Sequence, residues 1–185
     1  MNPNVPVRYV ASKALFSFLG STFRINAPDG GLRYYVKQKA FRLKEELLVY
    51  ADEARSEVLL KIKARSISDA RGFYDVHDAS GEKVGAAKRN LLKSILVDDW
   101  DLMGPDDAPL GKLKEKASFL TFLRKWLKII PQTYVLEVAG TKAGEIKQRF
   151  HPFRLVYDIE IGEDLDERLG VAATVLILAI ESKRD

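Results

Sequence analysis

The sequence contains no cysteine and only two histidines, His77 and His151, among its 185 residues. The absence of cysteine excludes disulfide bonds, thiolate zinc sites and thiol nucleophiles. The sequence also lacks the G-x-S-x-G, G-x-x-x-x-G-K-[ST] and H-E-x-x-H motifs of serine hydrolases, nucleotide-binding loops and zinc proteases. We therefore expect no catalytic residues, no cofactor, no metal site and no enzymatic activity.

Long hydrophobic runs are also absent, and the most apolar stretch is the segment from Leu169 to Ile180. As a helix it would be about 18 Å long, well short of the roughly 30 Å hydrocarbon core of a bilayer. A short helix that is apolar on all sides is typical of a protein interior. Residues 14–20 follow Arg8 and Lys13 as in a secretory signal, but they are few and lack a cleavage site. We expect no membrane span and a cytoplasmic protein, in keeping with peripheral attachment to a membrane.

Neither sign of charge dominates the sequence. The 30 lysines and arginines exceed the 26 aspartates and glutamates by four. This excess is too slight for the length to indicate nucleic acid binding. The 46% hydrophobic and 30% charged residues are typical of a globular protein, and the length suits one core. We expect a single domain over residues 1–185.

Most of the remaining sequence has the composition of short β-strands. Alternating apolar and polar residues, rich in β-branched and aromatic types, predict strands over 32–39, 46–52, 57–65, 72–78, 95–103, 133–140, 144–150 and 154–161. Turn-forming residues separate them at 27–31, 78–83, 104–109 and 139–144. The close spacing favours antiparallel hairpins.

A weak repeat links three of the predicted hairpins, which begin at Tyr74, Trp100 and Tyr134. Each continues through a turn to a glycine, which is followed two positions later by an apolar residue and then directly by a lysine. The glycines are Gly85, Gly111 and Gly144, the apolar residues Ala87, Leu113 and Ile146, and the lysines Lys88, Lys114 and Lys147. Because side chains alternate along a strand, we expect the apolar residue to face the interior and the lysine the solvent.

Two helices interrupt the strand pattern. Over residues 118–130, apolar residues that include Phe119, Phe122 and Trp126 recur at helical spacing, and Pro131 ends the pattern. The second helix contains the apolar segment near the end of the sequence, with Asp164 as its expected N-cap.

The strongest candidate for a binding surface is a basic stretch that includes the first of these helices. It contains one acid, Glu115, and six bases, Lys112, Lys114, Lys116, Arg124, Lys125 and Lys128. Bases beside an aromatic face are typical of a helix in a membrane interface, where each base near anionic lipid contributes about 1 kcal/mol. A helix docked on the predicted β-structure would bury the same aromatic face and leave the bases in solvent. We predict that the six bases bind phospholipid headgroups, and both placements of the helix stay open.

The stretch 23–65 carries a resemblance to a known family. It contains the Asp29-Gly30 turn, then Tyr34, Val36, Lys39, Ala40 and Phe41, then Leu48, Tyr50 and Asp52. In this order the residues resemble the opening of LURP-one-related proteins, and the hairpin from Tyr74 resembles the next one in that family. The family is similar in architecture to tubby C-terminal domains and phospholipid scramblases. The resemblance implies a closed antiparallel barrel of about twelve strands around a buried C-terminal hydrophobic helix.

The resemblance also limits the functions that we expect. Tubby domains bind phosphoinositides through basic residues, which have no residue-by-residue match here. Scramblases carry a cysteine cluster and a calcium-binding segment, whereas this chain has no cysteine, and its acids at 98–107 lack the ligand spacing of a calcium loop. We predict a non-catalytic tubby-like module that attaches to anionic phospholipid or phosphoinositide surfaces. The alternatives are a soluble protein-interaction scaffold and, less favoured, a scramblase-like activity.

Overall fold

The computed structural model of the protein describes residues 6–14, 21–38, 46–65, 72–90, 99–116 and 131–181. Within these residues, twelve antiparallel strands form a closed barrel, and one helix follows the last strand. The predicted barrel with a C-terminal helix is therefore confirmed. The other predicted helix, at 118–130, lies outside the described residues.

The elements follow one another along the chain in a simple order. The strands are β1 (Val7–Ala14), β2 (Ser21–Asn26), β3 (Leu32–Gln38), β4 (Glu46–Tyr50), β5 (Val58–Ala64), β6 (Phe73–Asp78), β7 (Lys83–Arg89), β8 (Asp99–Met103), β9 (Pro109–Glu115), β10 (Thr133–Val138), β11 (Thr141–Arg149) and β12 (Arg154–Ile161), and the helix is α1 (Glu167–Glu181). Each strand pairs with the next, and β1 also pairs with β12. Among the described residues, the closed ring therefore leaves no strand edge unpaired.

This up-and-down order gives the barrel two different ends. At the turn end, short turns follow β2, β4, β6, β8 and β10, and α1 begins after β12. At the opposite end, here called the loop end, the odd-numbered strands finish. Here β11 passes into β12 through residues 150–153. The loop end is also where β9 stops, directly before the predicted amphipathic segment.

The sequence repeat corresponds to a repeated β-bulge. In the hairpins β6–β7, β8–β9 and β10–β11, the register shifts by one residue directly beside the repeat glycine. A Cβ on Gly111 would lie 2.0 Å from the carbonyl oxygen of Glu137, and one on Gly144 would lie 2.4 Å from that of Glu160. Glycine is needed there because the neighbouring backbone approaches so closely.

The faces predicted for the repeat are confirmed. The three apolar residues are buried, namely Ala87, Leu113 and Ile146. Lys88 and Lys147 are exposed and Lys114 is partly exposed, as expected for the outer face of the barrel. The bulges recur because each hairpin needs the extra twist that closes a sheet into a barrel.

Helix α1 fills the interior of the barrel. Every residue from Leu169 to Ala179 is buried, and α1 contacts β2 and β12 on one side of the ring and β5, β6 and β7 on the other. The hydroxyl of Thr174 lies in this run and donates a hydrogen bond to the carbonyl oxygen of Gly170 at 2.9 Å, which satisfies it within the helix. In the described ranges, no helix combines the length and the apolar character that crossing a membrane requires. The predicted burial of the apolar segment is confirmed.

The start of α1 differs from the prediction. The N-cap is Asp166 rather than Asp164, because its Oδ1 accepts a hydrogen bond from the backbone N–H of Arg168 at 2.8 Å. Asp164 lies in the turn that precedes the helix and is exposed. Leu165 lies between the two aspartates and is buried. The helix begins at Glu167, so Asp166 is the aspartate at its N-terminus.

Candidate functional site

Three of the six predicted lipid-binding bases fall in the described residues, and we call them the β9 lysines: Lys112 and Lys114 lie on the outer face of β9, and Lys116 directly follows it. Each lies near an acid on β8, β10 or β11. Lys114 Nζ donates to Glu137 Oε2 at 2.7 Å, and Lys112 Nζ lies 3.8 Å from Asp101 Oδ1. Lys116 Nζ lies 3.8 Å from Glu145 Oε2. The strand register brings these charges together, so the β9 lysines are partly neutralised.

The pairing of these lysines is weak in energetic terms. The hydrogen bond to Glu137 raises the pKa of Lys114, so this lysine is charged at neutral pH. Ion pairs between exposed side chains contribute about 0 to 1 kcal/mol. The β9 lysines can therefore exchange a carboxylate for another anion at small cost. The remaining predicted bases, Arg124, Lys125 and Lys128, lie outside the described residues, and binding at all six positions stays a prediction.

The connection between β11 and β12 exposes two large aromatic side chains. Phe150 is 65% exposed and Phe153 is 68% exposed. Between them are His151 and Pro152, and the backbone N–H of Phe153 donates to His151 Nδ1 at 3.1 Å. We call residues 150–153 the aromatic tip. Exposed phenylalanine pairs of this kind mark contact surfaces more often than isolated apolar residues do.

Arginines flank the aromatic tip on both sides. Arg149 Nε donates to Asp158 Oδ2 at 2.6 Å, which neutralises that charge on the outer face of β12. Arg154 is exposed, and its side chain forms no ion pair or hydrogen bond with any residue that the structure describes. The tip therefore combines apolar surface with an adjacent cation that is available for a partner.

A basic pocket of about 360 Å³ lies beside the tip and is lined by Ser12, Lys13, Arg24 and Arg154. Ser12 on β1 is directly opposite Arg24 on β2. Arg154 on β12 is directly opposite Ala14 on β1. Strand alternation turns Lys13 inward, where it is only 5% exposed and its Nζ lies 6.0 Å from the centre of the Phe23 ring.

Arg24, one of the residues that line the basic pocket, forms an ion pair with the exposed Glu53. Its Nε and Nη2 donate to the two carboxylate oxygens of Glu53 at 2.6 and 3.1 Å. These bonds lower the pKa of Glu53, so the carboxylate is ionised and holds the guanidinium in place. The ion pair engages Nε and Nη2, which form one edge of the guanidinium group.

A second polar cluster joins α1 to the barrel at the turn end. The hydroxyls of Tyr9 and Tyr34 both donate to Glu167 Oε1 at 2.5 Å. Burial, followed by the hydrogen bond to Glu167, raises the pKa of Tyr9 to about 12. The same causes raise the pKa of Tyr34 even further. Both tyrosines are neutral donors near pH 7, and the cluster anchors the first residue of the helix.

In the described part of the acid-rich stretch, Asp101 and Asp107 lie near basic side chains. Asp107 accepts a hydrogen bond from Lys83 Nζ at 2.7 Å and another from Arg65. Arg65 also binds Asp75 through its Nε, 2.9 Å from Oδ2. In the part of the chain that the structure describes, no three acidic or histidine side chains are grouped to hold a metal ion.

The aromatic tip and the basic pocket were missed in the prediction. The strand predicted over 144–150 includes Phe150, although β11 ends at Arg149. Two phenylalanines around His-Pro, with an arginine on each side, are a visible signal that could have identified the tip. The pocket has no such signal, because its residues come from three strands that are distant in the sequence.

Comparisons with known proteins agree with the fold. A crystal structure of a protein from Arabidopsis thaliana superposes with a TM-score of 0.53 and 11% sequence identity, covering 98% of this chain and 94% of that chain. At this identity the likeness concerns the fold alone. No curated protein matches the sequence significantly. A model of the LURP-one-related family matches residues 32–178, which is most of the chain and spans the barrel from β3 into α1. The chain therefore belongs to the LURP-one-related family.

Proposed function

We propose that the protein is a non-catalytic, tubby-like binding module that attaches to anionic phospholipid surfaces of membranes. The observation that carries the proposal is the aromatic tip, in which Phe150 and Phe153 are about two-thirds exposed beside Arg154. Aromatic side chains enter the boundary between headgroups and acyl chains, and arginine binds lipid phosphates. The tip offers both interactions within five consecutive residues.

The interior of the barrel supports binding on the outside. Helix α1 fills the lumen, and Trp100, Tyr134 and Tyr157 are fully buried around it. We expect close packing of this kind to leave little room for a lipid chain or another internal ligand. A ligand is therefore expected on the surface, and the loop end presents Phe150 and Phe153, the two most exposed large apolar side chains of the described residues.

The expected membrane affinity of the tip can be estimated. Burying a phenylalanine side chain contributes about 1.5 to 3 kcal/mol. Two side chains that are each about two-thirds exposed would together contribute about 2 to 4 kcal/mol on insertion. Arg154 would add about 1 kcal/mol near anionic lipid. Reversible, salt-sensitive attachment is the result that these magnitudes predict, with the predicted bases of residues 112–128 contributing further.

Co-sedimentation with vesicles tests the proposal. Wild-type protein should bind phosphatidylcholine vesicles that contain phosphatidylserine, and should bind less to pure phosphatidylcholine. The double substitution Phe150→Ser and Phe153→Ser should lower the partition constant by about thirtyfold or more. Lys125→Glu with Lys128→Glu tests the predicted bases in the same assay.

The matched control is Val7→Ser, which removes an exposed apolar side chain at the turn end. This variant should bind vesicles like the wild type. Equal binding to neutral and anionic vesicles, or unchanged binding by the double phenylalanine variant, would contradict the proposal. A complete lack of vesicle binding at low salt would favour a protein-interaction scaffold instead.

A further inference from the structure

We infer that the basic pocket lined by Ser12, Lys13, Arg24 and Arg154 binds the terminal phosphate group of a lipid headgroup. The inference rests on the proposed function, which supplies a membrane at the loop end. It adds a specific ligand chemistry, because a phosphate monoester differs from a surface that is merely anionic.

The donor groups of the pocket suit a phosphate. Arg24 contributes a guanidinium whose orientation is fixed by Glu53, and Arg154 contributes a second guanidinium without a partner among the described residues. The hydroxyl of Ser12 lies between them, opposite Arg24. No acidic residue lines the pocket in the described part of the chain. Phosphate oxygens accept hydrogen bonds well from guanidinium groups and hydroxyls.

Lys13 lines the pocket from the inner side of the barrel wall, where its side chain is 5% exposed. Its Nζ lies 6.0 Å from the centre of the Phe23 ring. The contacts with the phosphate are assigned to Arg24, Arg154 and Ser12.

The pocket lies close enough to the aromatic tip, and is large enough, to receive a lipid phosphate. Arg154 directly follows Phe153, so a tip inserted between headgroups would bring the pocket to the level of the phosphates. The pocket volume of about 360 Å³ far exceeds the roughly 30 Å³ of one water molecule, and a phosphate with several waters fits. A headgroup with an exposed terminal phosphate reaches the pocket without entering the barrel.

The test compares two vesicle types of matched surface charge. One contains phosphatidic acid in phosphatidylcholine, which presents a terminal phosphate monoester. The other contains enough phosphatidylserine to give the same zeta potential. Wild-type protein should bind the phosphatidic acid vesicles about tenfold more tightly, the effect of one charge-assisted hydrogen bond. Arg154→Gln and Ser12→Ala should each reduce this preference.

The control variant is Arg33→Gln, which removes one exposed arginine on β3 and should keep the preference. Arg154 is exposed, so Arg154→Gln should leave the thermal denaturation midpoint unchanged, which separates lost binding from lost folding. A soluble probe, glycerol 3-phosphate, is titrated against each protein by NMR. Its binding by the wild type and loss in Arg154→Gln supports a phosphate pocket.

The outcomes separate this inference from the proposed function. Equal wild-type binding to the two vesicle types, with no glycerol 3-phosphate binding, overturns the pocket and leaves membrane attachment standing. Glycerol 3-phosphate binding that depends on Arg154, without any vesicle binding, overturns the lipid source together with the proposed function. A preference for phosphatidic acid that survives Arg154→Gln and Ser12→Ala also overturns the inference.

Discussion

The substitution Leu176→Asp should unfold the whole barrel, because Leu176 lies in the middle of α1 and is 0% exposed. Removing a buried leucine side chain costs about 2 to 5 kcal/mol even when alanine replaces it. An aspartate in the same place must also lose its hydration or accept a proton, which adds several kcal/mol. A domain is stable by about 5 to 15 kcal/mol in total. The sum of these costs removes most or all of that stability.

Chemical denaturation followed by circular dichroism provides the assay. The matched control is Phe153→Asp, which introduces the same carboxylate at an exposed position of the aromatic tip and should change the free energy of unfolding by about 0.5 kcal/mol or less. Leu176→Ala should be intermediate, with a loss of about 2 to 5 kcal/mol. A cooperatively folded Leu176→Asp protein with the wild-type midpoint would refute the placement of α1 inside the barrel.

Two further predictions concern the turn end. Asp166→Ala should lower the free energy of unfolding by about 1 kcal/mol through loss of the helix cap, whereas Asp164→Ala should have almost no effect; equal effects in urea denaturation would contradict the assignment of the N-cap. The pKa of Tyr9 is raised to about 12 in the folded protein, above its usual value of about 10, so its contribution to stability is complete below pH 10 and is lost as the pH rises towards 12. Thermal denaturation midpoints should therefore fall less over this pH range in Tyr9→Phe than in the wild type, and identical pH profiles would count against the raised pKa of Tyr9.

Local patterns predicted a large part of the fold. The apolar segment was correctly assigned to the interior because its length and composition suit neither a bilayer nor a surface helix. The strand predicted at 154–161 coincides with β12, and the repeat glycines mark the bulges. These features depend on residues that are close in the sequence, so periodicity and turn chemistry are sufficient to find them.

Other features depend on neighbours that are distant in the sequence. Strand β1 was obscured because Lys13 faces inward and interrupts the apolar alternation, so the start of the sequence was compared with a secretory signal. The ion pair of Lys114 with Glu137 follows from the register of β9 against β10, which no local pattern contains. The basic pocket needs β1, β2 and β12 side by side, and only closure of the barrel brings them together.

Hydrogen–deuterium exchange with and without phosphatidic acid vesicles tests most directly whether the filled barrel binds lipid through its outer surface. We predict slower exchange at residues 150–156 and in the adjacent part of β1 when vesicles are present. The amides of α1 should keep the same strong protection in both conditions, because the helix stays within the barrel. Faster exchange in α1 on vesicle addition, or no change at the aromatic tip under conditions where the protein is bound, would contradict this account.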